Sequence, residues 1–566
     1  APTGDLSAID HRSTKPNRSK PLNHRSTRTR RRALVACAIG IAAIAAACGN
    51  ASSSGSGPSA ASLAVSSSHV LNLAFGSDMQ VPDPDIFYEI EGNAVVTSVY
   101  EGLVKYANGT GKIVPALAQS WTVSPDGKTY TFHLASGVTF HDGTPLNSQA
   151  AAFSFQRRTG VNSAPAYMLA NVVSTETPDP LTFVVHLNQP VAAFMDYLAS
   201  PYGPKVVSPA TVKAHETGVT TANPDGDWAQ QYLKTHDAGT GPYTIAQFVP
   251  GTHYVLSTYP GYWGTKPYYT TIDISIVPDI SVQQAELQNG KLSMILHGLP
   301  VNAVDSLKSS SDFVVHEFPA QLKAMLYVNP TLGIFKSQAV RSALRQAIDK
   351  AAIVTSVYGN TLATVSTQAY PVDEFPAGTA ADDPTYDPTV LKNALKTAGG
   401  STSISLAYST DDPTNQRVAE FIQTELDAEG LSVQVHGVPI SQVFNYASTP
   451  ASQLPNLLVW TVNPDDSHPD SWIRIFSNTN GSLNELHGSV PQADSLMDAG
   501  LHATDPSTIQ SDYAQAGSLV AQSGEWISIA DVRDVVVSHA GVGGWYFQLP
   551  TADTVVLGDL TYTGKS

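Results

Sequence analysis

Between Ser403 and Val435 the chain spells out a strand, a helix and a second strand. Ser403 to Ala407 has strand character. Pro413 opens a helix in which Val418, Ile422 and Leu426 fall at i, i+4 and i+8 on one face. Gly430 stops that helix, and Leu431, Val433 and Val435 then alternate as a strand. Strands joined by a helical crossover run parallel, because the helix carries the chain back to the same end of the sheet. A parallel sheet with helices packed on it defines α/β architecture.

The next apolar run, Leu457 to Val462, reads as a buried strand. It leads directly into Asn463-Pro464-Asp465-Asp466-Ser467-His468-Pro469-Asp470. Ligands of open α/β sheets sit at the carboxyl ends of strands, so this carboxylate-rich turn is the foremost site candidate. The competing reading is a solvated Asx-rich turn.

The N-terminal part has a different character. Nine Lys and Arg residues lie between Arg12 and Arg32, and Ala33 to Ala47 is small and apolar. A basic region, a short apolar core and a small-residue end make a secretory signal. The apolar run is shorter than the roughly 20 residues a membrane-spanning helix needs. Residues 1–47 are therefore expected to be a signal peptide. Ala45-Ala46-Ala47-Cys48 resembles a bacterial lipobox, with Ala45 in place of the usual Leu, which makes Cys48 the expected lipidation site. Thr29 to Leu34 resembles a twin-arginine export motif, with Ala33 in place of Phe, so the export route stays open. Residues 48–68 are rich in Ser, Gly and Ala and read as a flexible tether.

The chain has two cysteines, Cys37 and Cys48. Loss of the first with the signal and lipidation of the second leave no disulfide and no thiolate metal site. Of 31 basic and 48 acidic residues, the part after residue 47 keeps 22 and 46. Such an acidic chain opposes binding to nucleic acid.

Residues Val99 to Arg158 carry VYEGLV, then P-x-LA-x-SW, a Ser124-Pro125-Asp126-Gly127 turn, TYTFHL, GVTFHDGTPL and FSFQRR. Further elements follow in GTGPY (239–243) and GYWG (261–264). In this order they resemble the extracytoplasmic solute-binding proteins of peptide-type ABC transporters, the oligopeptide, dipeptide and nickel-binding family. The resemblance implies a two-lobed periplasmic-binding-protein fold (type II, large peptide-binding subclass). Lobe I is expected over 69–320 plus 525–566 with an extra subdomain at 113–236, and lobe II over 321–524. Two chain crossings between the lobes would make a hinge.

The resemblance also assigns roles. Trp460 matches a pocket-lining Trp, and Asp465 matches an Asp that pairs with a peptide's α-ammonium. The Trp460–Pro469 spacing is two residues longer than in dipeptide binders, so Asn463 and Asp466 are alternatives. Asp412 stands where dipeptide binders hold the peptide carboxylate with Arg, which disfavours a free dipeptide gripped at both ends. Tyr262 and Trp263 are expected in the core, and Arg341 is expected to be structural.

No GxxxxGK[ST], HExxH, GxSxG or CxxC motif occurs, and His141-Asp142 reads as a turn. The expectation is a lipid-anchored, monomeric capture protein on the extracytoplasmic face of the cell membrane, with neither cofactor nor catalytic residues. It would carry a peptide or related small solute to an ABC permease. Alternatives are a carrier of a metal chelate or oligosaccharide, an extracellular hydrolase and a ligand sensor.

Overall fold

A computed structural model describes residues 69–563 except 80, 221–225, 372–383, 411 and 551–554. The expected signal, Cys48 and the tether lie outside the described residues.

One lobe is built on a four-stranded sheet in the order Val70–Phe75, Thr271–Ile276, His253–Thr258, Tyr243–Val249, its first pair parallel. A second four-stranded sheet, within residues 118–187, is fully antiparallel. Its strand Thr129–Leu134 alternates as TYTFHL, and Tyr130, Phe132 and Leu134 point into the core.

The other lobe holds the parallel unit. Ser403–Ser409 pairs in parallel with both Ser432–Val438 and Leu457–Val462. The intervening helix, Pro413–Ala428, buries Val418, Ile422 and Leu426 completely. Each such side chain stabilises the packing by about 1.5–3 kcal/mol relative to exposure. Trp460 and Leu458 face one side of the sheet, Leu457 and Val459 the other, and each side has its own core.

Two long strands connect the lobes. Phe313–Val328 and Trp526–His539 pair antiparallel along most of their length. Their outer partners change from Met294–Ile295 at one end to Leu457–Val462 at the other. Register shifts interrupt the pairing between Phe318 and Leu322 and again between Ala324 and Met325. Such irregularities bend a strand and raise its twist.

Two expectations change. The i, i+4, i+8 spacing of Val340, Leu344 and Ile348 predicts one amphipathic helix over 339–350; instead the helix ends at Gln346 and a new one runs Lys350–Tyr358, because the Asp349 side chain caps it by accepting from the Ala352 amide. Trp263 is a surface residue, not a core one: it is 36% exposed, and its indole N–H donates to Glu101 at 3.0 Å.

Candidate functional site

The strand Leu457–Val462 delivers its C-terminal loop to the junction of the lobes. There Asp465 meets the first lobe at three points. The hydroxyls of Tyr88 and Tyr167 donate to its Oδ2 at 2.5 and 2.6 Å, and the Ser200 hydroxyl donates to its carbonyl at 2.5 Å. Both tyrosines use the same oxygen; Oδ1 takes no hydrogen bond from the described residues. Asp465 is 7% exposed, and burial raises its pKa to about 6 against the opposing pull of the two hydroxyls. Burial and the Asp465 charge push both tyrosine pKa values up, so each stays a donor at neutral pH.

Asp466 is fully buried. Its Oδ1 accepts from the His468 amide at 2.8 Å. Burial and the neighbouring Asp196 hold its pKa well above the carboxylate range. Ser467 reaches across the junction: its amide donates to the Tyr106 hydroxyl at 3.0 Å, and its hydroxyl donates to Gln321 at 3.3 Å. The His468 side chain caps the following helix, Pro469–Ser477, and burial brings its pKa down to about 4, so it is neutral.

Other sequence-predicted residues take different positions. Asn463 is half-buried, and its amide donates to the Pro464 carbonyl at 3.1 Å. Trp460 is 4% exposed and packs among Tyr327, Phe444 and Phe476. Asp412 caps the helix Pro413–Ala428, accepting from the Thr414 amide at 2.7 Å. The loop thus brings Asp465 and Asp466 together, while Asp412 is engaged with its own helix. Arg341 donates to the Phe335 and Ser523 carbonyls and pairs with Glu525, a structural role. Both ring nitrogens of His141 are taken, by Asp237 and the Gly241 carbonyl.

Sequence reasoning missed the first-lobe partners Tyr88, Tyr106, Tyr167 and Ser200. Tyr88 follows Asp83-Pro84-Asp85, a loop pinned by the two arginines of FSFQRR. Arg157 grips Asp83 with two bonds of 2.8 and 2.6 Å and reaches Asp85 at 2.5 Å. Arg158 holds Asp85 at 2.9 Å and the Pro84 carbonyl at 2.8 Å. All four side chains are essentially unexposed. The forked geometry of Arg suits this kind of bidentate grip.

Two lobes joined by paired crossing strands, with a strand-end loop at their junction, define a two-lobed binding-protein fold. The family description "Bacterial extracellular solute-binding proteins, family 5 Middle" matches residues 112–484, and the chain belongs to that family. It is 25% identical to the probable D,D-dipeptide-binding periplasmic protein DdpA of Escherichia coli (strain K12), over 84% of this chain and 91% of that one. Among solved structures it resembles the periplasmic binding protein DppA from Helicobacter pylori in complex with the peptide STSA. The TM-score is 0.74 at 21% identity, over 88% of this chain and 98% of that one. It also resembles NikA from Brucella suis in complex with Fe(III)-EDTA, with TM-score 0.76 at 20% identity, over 87% and 99%. No helix among the described residues is long and apolar enough to cross a membrane.

Proposed function

We propose that this chain is the capture subunit of an ABC importer. It takes a peptide or related small solute between its lobes, closes about the two crossing strands and hands the solute unaltered to a membrane permease. The lobes divide near residues 320 and 524, Cys48 carries the lipid anchor, and residues 48–68 form the tether.

The observation that carries this reading is the reach of one strand-end loop across the junction, where Asp465 joins hydroxyls of the opposite lobe. Closure removes water from that contact and strengthens it. Oδ1 of Asp465 is left for an ammonium group, while Tyr88 and Tyr167 fix the carboxylate's orientation. Membership of the family and the relatives' peptide ligands support a peptide. The NikA complex with Fe(III)-EDTA supports a metal chelate as the second reading.

Native mass spectrometry of the purified protein, followed by calorimetry with the solute it releases, tests the proposal. One solute per chain, bound and returned unchanged, is the expected result. Steady conversion of that solute into product would refute it.

A further inference from the structure

The junction gathers carboxyl groups with no cation paired to Asp196 or Asp466 among the described residues. Asp196, on the short helix Phe194–Ala199 of the first lobe, acts on Asp466 of the second as a like charge, and Asp465 adds to the repulsion. Tyr106 links the two sides. Its hydroxyl donates to Asp196 at 3.1 Å and accepts from the Ser467 amide at 3.0 Å. Asp466 Oδ2, fully buried, has no hydrogen-bond partner among the described residues.

Among the described residues, no positively charged group pairs with either carboxyl. Tyr88, Tyr167 and Tyr197 feel the charge of Asp466 and are neutral, their pKa values pushed up by burial. The His468 ring is neutral. Arg474, which acts on Tyr197, pairs through Nε with Asp470 at 2.9 Å and through Nη1 with Asp498 at 2.7 Å; its Nη2 is buried without a partner among the described residues, and neither Asp196 nor Asp466 bonds to it. Lys205 donates to the Ser200 carbonyl at 2.8 Å, and burial brings its pKa down to about 7. A buried carboxylate left unpaired in this way costs several kcal/mol.

We propose that closing the lobes over Asp196 and Asp466 demands one added positive charge, so that the cleft selects solutes bearing a cationic group and closes on others only with a proton. This rests on the hinge reading above, because the two carboxyls belong to different lobes and separate when the lobes part. A cationic solute meets the demand at neutral pH; an anionic one deepens the deficit.

The pH dependence has a definite sign. On the hinge reading, parting the lobes gives both groups to water and relaxes their acidity toward the ordinary carboxylate range. In the closed form burial raises Asp196 to about 7, and Asp466 is raised further by the charge of Asp196. The closed form therefore binds more protons from roughly pH 4 upward to the raised values. Ligand-free closure strengthens as pH falls through that window and is opposed above it.

Small-angle scattering of the ligand-free protein reads closure as the radius of gyration. The wild type is expected to contract between about pH 8 and about pH 5. Asp466→Asn, neutral at both, is expected to be contracted already at the higher pH and to show no more than about half the acid response. The Tyr88→Phe/Tyr167→Phe pair removes both hydroxyls from Asp465 and is expected to be expanded at both. No acid response in the wild type, or the full response in Asp466→Asn, overturns the charge demand, while expansion of the tyrosine pair keeps the hinge. A radius that answers to none of these changes removes the hinge and the proposal together.

Selectivity is read by calorimetry at neutral pH with the tripeptides Ala-Lys-Ala and Ala-Glu-Ala. The lysine peptide is expected to bind at least about tenfold more tightly to the wild type, and within about threefold of the other to Asp466→Asn. Equal affinities in the wild type, or no binding of either, overturn the selectivity.

Discussion

The first lobe and the junction between lobes both bury aspartates, and they handle them in opposite ways. Asp83 and Asp85 are fully neutralised by Arg157 and Arg158 through short, forked bonds. Asp196, Asp465 and Asp466 meet only hydroxyls, amides and one another. A carboxylate paired with guanidinium is held in one place and one charge state. A carboxylate held by hydroxyls keeps a charge that something else must answer. The first arrangement is a scaffold, and the second is a place where charge and closure are linked.

The largest effect that breaks the comparison is expected from Arg157→Ala. It leaves Asp83 and Asp85 buried with half their compensation, and removing one partner of a buried pair costs about 3–5 kcal/mol. Chemical denaturation followed by circular dichroism should show this loss. If the stability stays within error, the network is not a scaffold.

Next comes Asp465→Ala, which strands two tyrosine hydroxyls and removes the proposed anchor for an ammonium. Truncating one partner of a buried charged contact costs about 2–5 kcal/mol, so affinity for an amine-bearing solute should fall at least about tenfold. Unchanged affinity by calorimetry would take Asp465 out of the site. Because burial sets Asp465 at about 6, the carboxylate is lost as pH drops through that value, and amine binding in the wild type should weaken there. Asp466 adds no opposing trend for such a solute, because the solute's cation already supplies the positive charge that closure demands. Affinity for an amine-bearing solute should therefore fall steadily as pH drops through that range, which a pH series would reveal. A maximum would mean that protons still drive closure with the cation in place, against the charge demand.

Tyr167→Phe is smaller. A hydrogen bond to a charged group contributes about 1.5–3 kcal/mol, and Tyr88 remains to share the load, so the lower figure is expected, read as a shift of the ligand-free protein toward the open form in scattering. No shift would assign the latch to Tyr88 alone.

Much of the fold was legible because it follows from local rules. Thr129–Leu134 and Thr182–Leu187 alternate and form strands with those bounds. The parallel unit followed from the apolar face of Val418, Ile422 and Leu426. The split at Asp349 was missed because a capping aspartate overrode an apolar period that runs through it. The loop Asn463–Asp470 could be found as carboxylates at a strand end. Its partners could not: Tyr88 and Tyr167 lie 377 and 298 residues from Asp465, and nothing local marks either tyrosine. Nor does the sequence distinguish Asp465, whose carboxylate meets two tyrosines from distant segments, from Asp412, whose carboxylate accepts from the amide at the start of its own helix.

The smallest expected effect sharpens the contrast from a third direction. Glu101 is a half-buried acid with neither an arginine partner nor a place at the lobe junction. It accepts from the Trp263 indole at 3.0 Å, Thr240 at 2.8 Å and Tyr262 at 3.3 Å, and burial raises its pKa. Those three donors all favour the ionised form, so Trp263→Phe removes one neutral contribution of about 0.5–1.5 kcal/mol. The deficit should be present at neutral pH and should shrink in acid, where the protonated carboxyl no longer needs the indole. Denaturation midpoints at both pH values measure it, and the radius of gyration should not move, because Glu101, Thr240, Tyr262 and Trp263 all lie in the first lobe. A closure defect in this variant would show that hydroxyl- and indole-held acids are linked to the hinge wherever they lie, and that the junction is not distinguished by its position between the lobes.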